Sequence, residues 1–170
     1  MDKNTANIVK KANARMQLLR KVVSFGASEN DLKTVYISFI RSLLEQSATV
    51  WNSSLTQKNI EDLERIQKTA FKVILQNKYK NYRNALNKLE MSTLVERREE
   101  LCLNFAIKCT KHKHLQKMFP KYANKHEMKS RNTDVFEIQY ANTWRLQRSP
   151  IIYMQKLLNE NETRNNDHET

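Results

Sequence analysis

Apolar residues recur at helical spacing along the first half of the chain. Between residues 5 and 23 they are three or four positions apart, at Ile8, Ala12, Met16, Leu19 and Val23. This is the spacing of one face of an α-helix. Gly26 follows, and glycine suits the left-handed residue that ends a helix. We therefore predict a first helix that stops just before Gly26.

A second and a third helix are predicted from their start signals. Ser28 followed by Asp31 resembles a capping box, with Asp in place of the usual Glu or Gln. The helix that begins there is predicted to run to Val50. Its apolar face consists of Leu32, Val35, Tyr36, Phe39, Ile40, Leu43 and Leu44. Thr56 is predicted to cap the third helix. The apolar face of that helix consists of Ile60, Leu63, Ile66, Ala70, Phe71 and Ile74.

The helical pattern continues to about residue 111 and then fades. A short helix is predicted over residues 82–89, and Thr93 with Glu96 forms a capping box for a longer one. Residues 108–131 contain eight Lys or Arg, three His and a single acid, which is typical of a loosely packed basic segment. Residues 135–140 indicate either an extended arm or a single strand.

The predicted fold class is all-α, with an antiparallel helical bundle as its core. The predicted parts are a helical domain over 1–112, a basic connector over 113–131, an extended arm with a short helix over 132–158, and a disordered tail over 159–170. The short helix is expected to begin at Pro150. Trp51 and Trp144 are both interpreted as packing residues, and the arm is expected to pack back through Trp144 and residues 151–158.

The charge balance points to a polyanionic partner. Thirty Lys and Arg against 18 Asp and Glu give a net charge of +12, which suits RNA, DNA or their hybrid bound with low sequence specificity. No apolar run approaches the ~20 residues that span a bilayer, and the N-terminal segment lacks a secretory apolar region. We expect no membrane partner and a location in the nucleus or cytoplasm.

The cysteines and histidines are not predicted to form a metal site. Cys102 and Cys109 are seven residues apart on a predicted helix, about 10.5 Å between Cα atoms, which is beyond disulfide reach. Structural zinc sites usually have two to four residues between paired cysteines and three to five between paired histidines. The spacing of the two cysteines does not match this pattern, and neither does the spacing of His112 and His114. Buried structural thiols are the favoured interpretation, and no cofactor is expected.

Two groups of basic residues are candidates for nucleic-acid contact. The stretch 68–88 contains six Lys or Arg residues and no acid, interleaved with aromatic residues. The basic side chains could therefore contact phosphates while the tyrosines stack on nucleobases. The alternative is that Phe71 is core, Tyr79 and Tyr82 cover a helix junction and the lysines are simply solvated. The second group lies on the first helix. The candidate residues are Lys11, Arg15, Arg20, Lys21, Lys68, Lys72, Lys78, Tyr79, Lys80, Tyr82 and Arg83.

Several blocks of the chain resemble the C-terminal part of reverse transcriptases from non-LTR (LINE-type) retrotransposons. The blocks are KKANARMQLLRKVVSFGAS, YISFIRSLLEQSATVW, LERIQKTAFKVIL, ALNKLEMSTLVERREELCLNFAIKC, MFP and WRLQRSPIIYMQKLLNE. The resemblance extends to about Glu160. Gln46 and Thr49 depart from it, where the family usually has an aromatic residue and often a proline.

The resemblance implies a helical thumb with a C-terminal extension, which grips template and primer and adjoins a polymerase palm. Polymerisation needs paired carboxylates for two metal ions, and the five Asp of this chain are never adjacent. No catalytic residue is therefore assigned and no activity is expected of the chain alone. The alternative function is a helical protein-interaction module derived from a retrotransposon remnant.

Overall fold

Helices make up the regular structure of the described part of this chain. The computed structural model describes residues 2–121 and 135–168, and it confirms the all-α fold class. The helices are α1 (Asp2–Ser24), α2 (Glu29–Val35), α3 (Ser42–Glu45), α4 (Ala48–Trp51), α5 (Gln57–Leu75), α6 (Tyr82–Leu89), α7 (Leu94–Lys111), α8 (Trp144–Gln147) and α9 (Pro150–His168). A π-helical turn, Tyr36–Arg41, joins α2 to α3. Short 3₁₀ turns occupy Asn52–Ser54, Gln76–Lys78 and Gln116–Met118.

The chain divides into two compact units. The first consists of residues 1–48 and 55–98, and the second of residues 49–54 and 99–170. This division differs from the predicted boundary at residue 112. The connector predicted over 113–131 begins with a turn that includes Gln116–Met118, and its remainder from residue 122 onward lies outside the described residues.

The core of the first unit is formed by α1, α2, α3 and α5. The first turns of α1, at Thr5 and Val9, and of α5, at Asn59, line one open cleft of about 780 Å³, so these two helices run in the same direction. Glu29, at the start of α2, lies beside Lys78, just beyond the end of α5. The segment from α2 to α3 therefore runs antiparallel to both helices. Buried apolar side chains of this core include Ile8, Ala12, Met16, Leu19, Leu32, Tyr36, Ile40, Leu44, Leu63, Phe71 and Ile74.

The predicted helix signals around Gly26 and Ser28 are confirmed. Gly26 has φ of +77° and its N–H donates to the Val23 carbonyl at 2.9 Å, which closes the end of α1. The Ser28 hydroxyl accepts from the Asp31 N–H at 3.2 Å, while the Asp31 carboxylate accepts from the Ser28 N–H. Both halves of the capping box are thus present, and they fix the reversal between α1 and α2.

The predicted continuous second helix is interrupted by the π turn. Four core residues, Leu32, Tyr36, Ile40 and Leu44, are spaced four apart and are all essentially inaccessible to solvent. A regular α-helix has 3.6 residues per turn, so it would rotate each successive member by about 40°. The wider π turn, with i→i+5 hydrogen bonds, reduces that rotation and keeps the series facing the core. Phe39, predicted on the apolar face, is half exposed as a result.

Side chains satisfy the carbonyl groups that the π turn displaces. The Ser42 N–H donates to the Ile37 carbonyl instead of the Ser38 carbonyl. The Ser38 carbonyl accepts the Ser42 hydroxyl at 2.5 Å, and the Phe39 carbonyl accepts Nη1 of Arg15 at 2.5 Å. Arg15 on α1 therefore supports the irregular turn.

The second unit has its own small core. Its buried members are Cys102, Ala106, Cys109, Phe119, Phe136, Met154 and Leu158. Both cysteines are buried thiols, as predicted, and burial raises the pKa of Cys109. Trp51 is buried in agreement with its prediction, whereas the prediction for Trp144 is wrong because 71% of that side chain is exposed.

A buried asparagine of the last helix pairs with the backbone at residues 135 and 136. Asn159 accepts from the N–H groups of Val135 and Phe136, at 3.2 and 2.8 Å, and donates to the Phe136 carbonyl at 2.9 Å. In a sheet, a neighbouring strand would form these backbone hydrogen bonds. Here a single side chain of α9 forms them. The predicted disordered tail, 159–170, also differs from the structure, in which α9 continues to His168; the last two residues lie outside the described part.

Candidate nucleic-acid interface

An exposed basic surface runs along the end of α5 and the start of α6. We call it the α5–α6 basic face, and it consists of Lys68, Lys72, Tyr79, Lys80 and Arg83. The four cations are exposed and Tyr79 is half-buried. Lys68 and Lys72 are one turn apart on α5, because residues four apart on a helix are neighbours. Lys80 and Arg83 flank Asn81, whose side chain accepts from the Asn84 N–H at 2.8 Å and caps α6.

Two tyrosine rings position the lysines of α5. Nζ of Lys72 lies 5.6 Å from the centroid of Tyr79, and Nζ of Lys68 lies 5.1 Å from the centroid of Tyr82. Cation–π contacts at exposed sites contribute about 0.5–1 kcal/mol each. They hold the ammonium groups in place without neutralising them. Since those ring faces are occupied, the rings act as supports for the lysines.

Tyr82 is fixed by a polar network that continues into the core. Its hydroxyl donates to Glu64 at 2.6 Å and accepts from Nε2 of Gln67 at 2.8 Å. Gln67, which is fully buried, also accepts the Tyr36 hydroxyl at 2.7 Å. Glu64 in turn accepts from the Val95 N–H at 3.0 Å. Burial raises the pKa of Tyr82, and the hydrogen bond to Glu64 adds to the increase.

The network assigns a packing role to two aromatic residues of the 68–88 stretch. Phe71 is fully buried and lies edge-on to Tyr36 at 5.6 Å between centroids. The Tyr82 ring is 5.9 Å from that of Phe71, so one side of it is covered. The alternative interpretation, with Phe71 in the core and Tyr82 at a helix junction, describes these two residues.

Lys78 differs from the residues of the basic face in having a carboxylate partner. Its Nζ forms an ion pair with Glu29, which Lys88 also approaches, with 3.8 Å between Nζ and Oε2. The hydrogen bond from Lys78 is the largest cause of a lowered pKa at Glu29. The charge of Lys78 is therefore already compensated within the fold.

The candidate residues on α1 do not share a single surface. At 100° per residue, Lys11 and Arg15 lie about 40° apart around the helix, but Arg20 lies about 140° from Arg15. Arg15 is also bonded to the Phe39 carbonyl. Lys11, Arg20 and Lys21 are exposed, and the structure places no aromatic support beneath them among the described contacts. The α1 group is weaker than the group on α5 and α6.

Two further basic residues of α5 are not among the predicted candidates. Lys58 and Arg65 are exposed and precede Lys72 by fourteen and seven residues, which places all three on one side of the helix over about 21 Å. The seven-residue spacing was the available signal. Arg65 pairs with Asp62 at 3.1 Å, so its charge is partly offset.

Other kinds of site find little support in the described residues. Within 2–121 and 135–168, the His, Cys, Asp and Glu side chains form no group of three arranged to hold a metal ion. In the same part of the chain, no helix combines the length and the apolar character that crossing a bilayer requires.

Comparison with known proteins leaves the family undetermined. No protein-family model matches the chain, and searches among curated proteins and among solved structures likewise give no match.

Proposed function

We propose that the chain binds the backbone of nucleic acid through the α5–α6 basic face. One observation carries the proposal: within the described residues, Lys68, Lys72, Lys80 and Arg83 are exposed and form no ion pair with a carboxylate. Lys68 and Lys72 are on successive turns of α5, and Lys80 and Arg83 lie around the start of α6; uncompensated cations grouped in this way form a local positive field. Phosphate contacts of this kind give affinity with little sequence preference.

The salt dependence of binding tests the proposal. Fluorescence anisotropy of a labelled RNA–DNA hybrid is measured with the full chain at several salt concentrations. Each neutralised phosphate of a duplex contributes roughly −0.9 to the slope of log K against log salt, so the four cations predict a slope of about −3 to −4. A slope near zero would refute phosphate binding.

Single substitutions locate the surface. Lys72→Gln is expected to reduce the magnitude of the slope by about one and to weaken binding to all sequences alike. Lys3→Gln is the matched control, because Lys3 is an exposed lysine in the first turn of α1, at the end of this unit opposite to Lys72. Equal effects of the two substitutions would assign the binding to net charge and reject the α5–α6 basic face.

The wider role that we propose is that of a non-catalytic C-terminal portion of a retrotransposon RNA-directed DNA polymerase. The block resemblance supports this role, and the grip on template and primer would adjoin a palm domain, within the nucleus or cytoplasm. The genomic sequence upstream of the Met1 codon tests it. An open reading frame for a palm with adjacent aspartates is expected, and an unrelated upstream sequence would count against it.

Binding to another protein chain is a second candidate, favoured by an exposed apolar stripe on the first unit. Leu18 and Phe25 lie on one side of α1 and are 43% and 86% exposed, and the half-buried Val22 lies between them. Phe39 lies near this stripe, because its carbonyl is held by Arg15 one turn before Leu18. A second copy of the chain is the simplest occupant of such a face. Sedimentation equilibrium of wild type and Phe25→Ser tests it: a dimer that dissociates on substitution supports this candidate, and a monomer in both cases excludes self-association.

A further inference from the structure

The segment before and within α8 displays two aromatic side chains to solvent. Tyr140 is 86% exposed and Trp144 is 71% exposed. Aromatic side chains bury 150–250 Å² each when they pack, so leaving two of them exposed forgoes substantial stabilisation. Neither ring belongs to the core of the second unit.

The backbone that carries these rings is held in place. The Gln139 N–H donates to the buried Gln155 side chain at 3.2 Å. The Thr143 hydroxyl accepts from the Leu146 N–H at 3.3 Å and caps α8, while Gln147 donates to the Ala141 carbonyl at 3.3 Å. Hydrogen bonds therefore fix the backbone of this segment before Tyr140, between Tyr140 and Trp144, and after Trp144. Their Cα atoms are at most about 14 Å apart, the reach of four extended residues.

The surroundings of the rings favour nucleic acid over an apolar partner. Residues 138–149 include two arginines and no acid. The guanidinium carbon of Arg148 lies 5.2 Å from the centroid of Trp144 and covers part of one side of the ring. Unlike Tyr79 and Tyr82, which are half-buried, Trp144 still has 71% of its side chain exposed. Arg145 is exposed as well. Exposed polar side chains, at Gln139, Asn142 and Gln147, lie between and beside the rings.

We infer that Tyr140 and Trp144 form a stacking platform for unpaired bases of single-stranded nucleic acid, with Arg145 contacting an adjacent phosphate and Arg148 supporting the Trp144 ring from one side. Exposed aromatic rings accept any base because every base has a π-face, and neighbouring cations follow the backbone. This inference shares only the class of ligand with the proposed function. It uses none of the residues of the α5–α6 basic face, so either can fail alone.

The two tryptophans allow the platform to be observed directly. Trp51 is 4% exposed, so Trp51→Phe leaves Trp144 as the sole indole reporter. Titration of the full chain with a thymidine oligonucleotide is expected to quench Trp144 emission saturably as bases stack. An abasic oligonucleotide of equal length supplies the same phosphates without bases and is expected to leave the emission unchanged. Equal quenching by both strands, or none by either, would overturn the inference.

Affinity measurements on Trp144 variants do not depend on the Trp51 substitution. With a labelled thymidine strand, Trp144→Leu is expected to weaken binding roughly 5- to 150-fold, since a stacked base contributes about that factor, whereas Trp144→Phe retains most of the affinity. Leucine keeps apolar character but has no π-face. Equal affinity of the leucine variant and wild type would therefore reject stacking.

The same variants separate this inference from the proposed function. Trp144→Leu is expected to leave affinity for the RNA–DNA hybrid within twofold of wild type, and Lys72→Gln is expected to weaken hybrid binding. Loss of hybrid binding in Trp144→Leu equal to the loss of single-strand binding would show that Trp144 serves one general site, and would overturn a separate platform.

Discussion

Replacing Gln67 by methionine tests whether the polar network beneath the α5–α6 basic face stabilises the first unit. Gln67 is fully buried, and methionine is an unbranched apolar side chain of similar length. The substitution removes an acceptor from the Tyr36 hydroxyl and donors from the Tyr82 hydroxyl and the Ser92 carbonyl. The volume stays filled while the hydrogen bonds are lost.

The expected cost follows from what each partner can do afterwards. Tyr36 is inaccessible to solvent, so its hydroxyl loses its acceptor without gaining water, at about 1–3 kcal/mol. The Ser92 carbonyl belongs to an exposed residue and can be hydrated, so the loss of its bond adds about 0.5–1.5 kcal/mol. Tyr82 keeps its bond to Glu64. The total destabilisation is expected to be about 1.5–4.5 kcal/mol.

Urea unfolding followed by far-ultraviolet circular dichroism measures this cost, and a double-mutant cycle with Tyr36→Phe assigns it. Removing both polar partners of a buried pair is less costly than removing one. The double variant should therefore be more stable than the sum of the single effects predicts, by roughly 1–3 kcal/mol. If Gln67→Met lies within about 0.5 kcal/mol of wild type, or if the two effects are additive, the network does not stabilise the unit and the reasoning fails.

Three further predictions concern the same unit. Burial raises the pKa of Tyr36 well above its usual range, so the contribution of Tyr36 to stability should be constant below about pH 10 and fall above it by roughly 1.4 kcal/mol per pH unit. Burial raises the pKa of Tyr82 as well, so the alkaline slope should remain in Tyr36→Phe but be shallower than in wild type by about that amount, and equal slopes in the two proteins would contradict this. Ser28→Ala should lower the free energy of unfolding by about 0.5–2 kcal/mol because the capping box is lost. Ser24→Ala is the control, and an equal loss of stability in both variants would contradict a specific role of the capping box. Gly26→Ala should lower the free energy of unfolding by about 1–2 kcal/mol because of the positive φ. A Cβ at this position meets no atom within 4 Å, so no steric clash adds to this loss. A thermal midpoint equal to that of wild type would exclude backbone strain.

The sequence predicts local features of this fold better than features that depend on distant residues. Ser28, Thr56 and Thr93 cap helices as predicted, because a cap involves residues within one turn. The sequence does not predict the π turn, because apolar side chains four residues apart are also compatible with a regular α-helix. Only the packing of the core shows that all four side chains must face the same direction. The burial of Asn159, in the stretch predicted to be disordered, involves partners that lie more than twenty residues earlier in the chain.

The candidate interface shows the same division. The concentration of bases between residues 68 and 88 is visible in the sequence, and the structure separates its members by their partners. Lys72 is supported by a ring while Lys78 is neutralised by Glu29, which is 49 residues earlier in the chain. Trp144 was interpreted as a packing residue because tryptophan usually is one, and only its surroundings show that it is exposed.

The π turn between Tyr36 and Arg41 also bears on how the length of this chain can vary. Elsewhere in a helix, loss of one residue rotates everything beyond it by about 100° and moves apolar side chains off the core. A π turn encloses one more residue than an α turn, so deleting one residue there would convert it to a regular α turn and leave Leu43 and Leu44 facing inward. Chains that share this fold could therefore gain or lose a residue at this point without a compensating change, and alignments of such chains should place a gap here while the helices on either side stay in register.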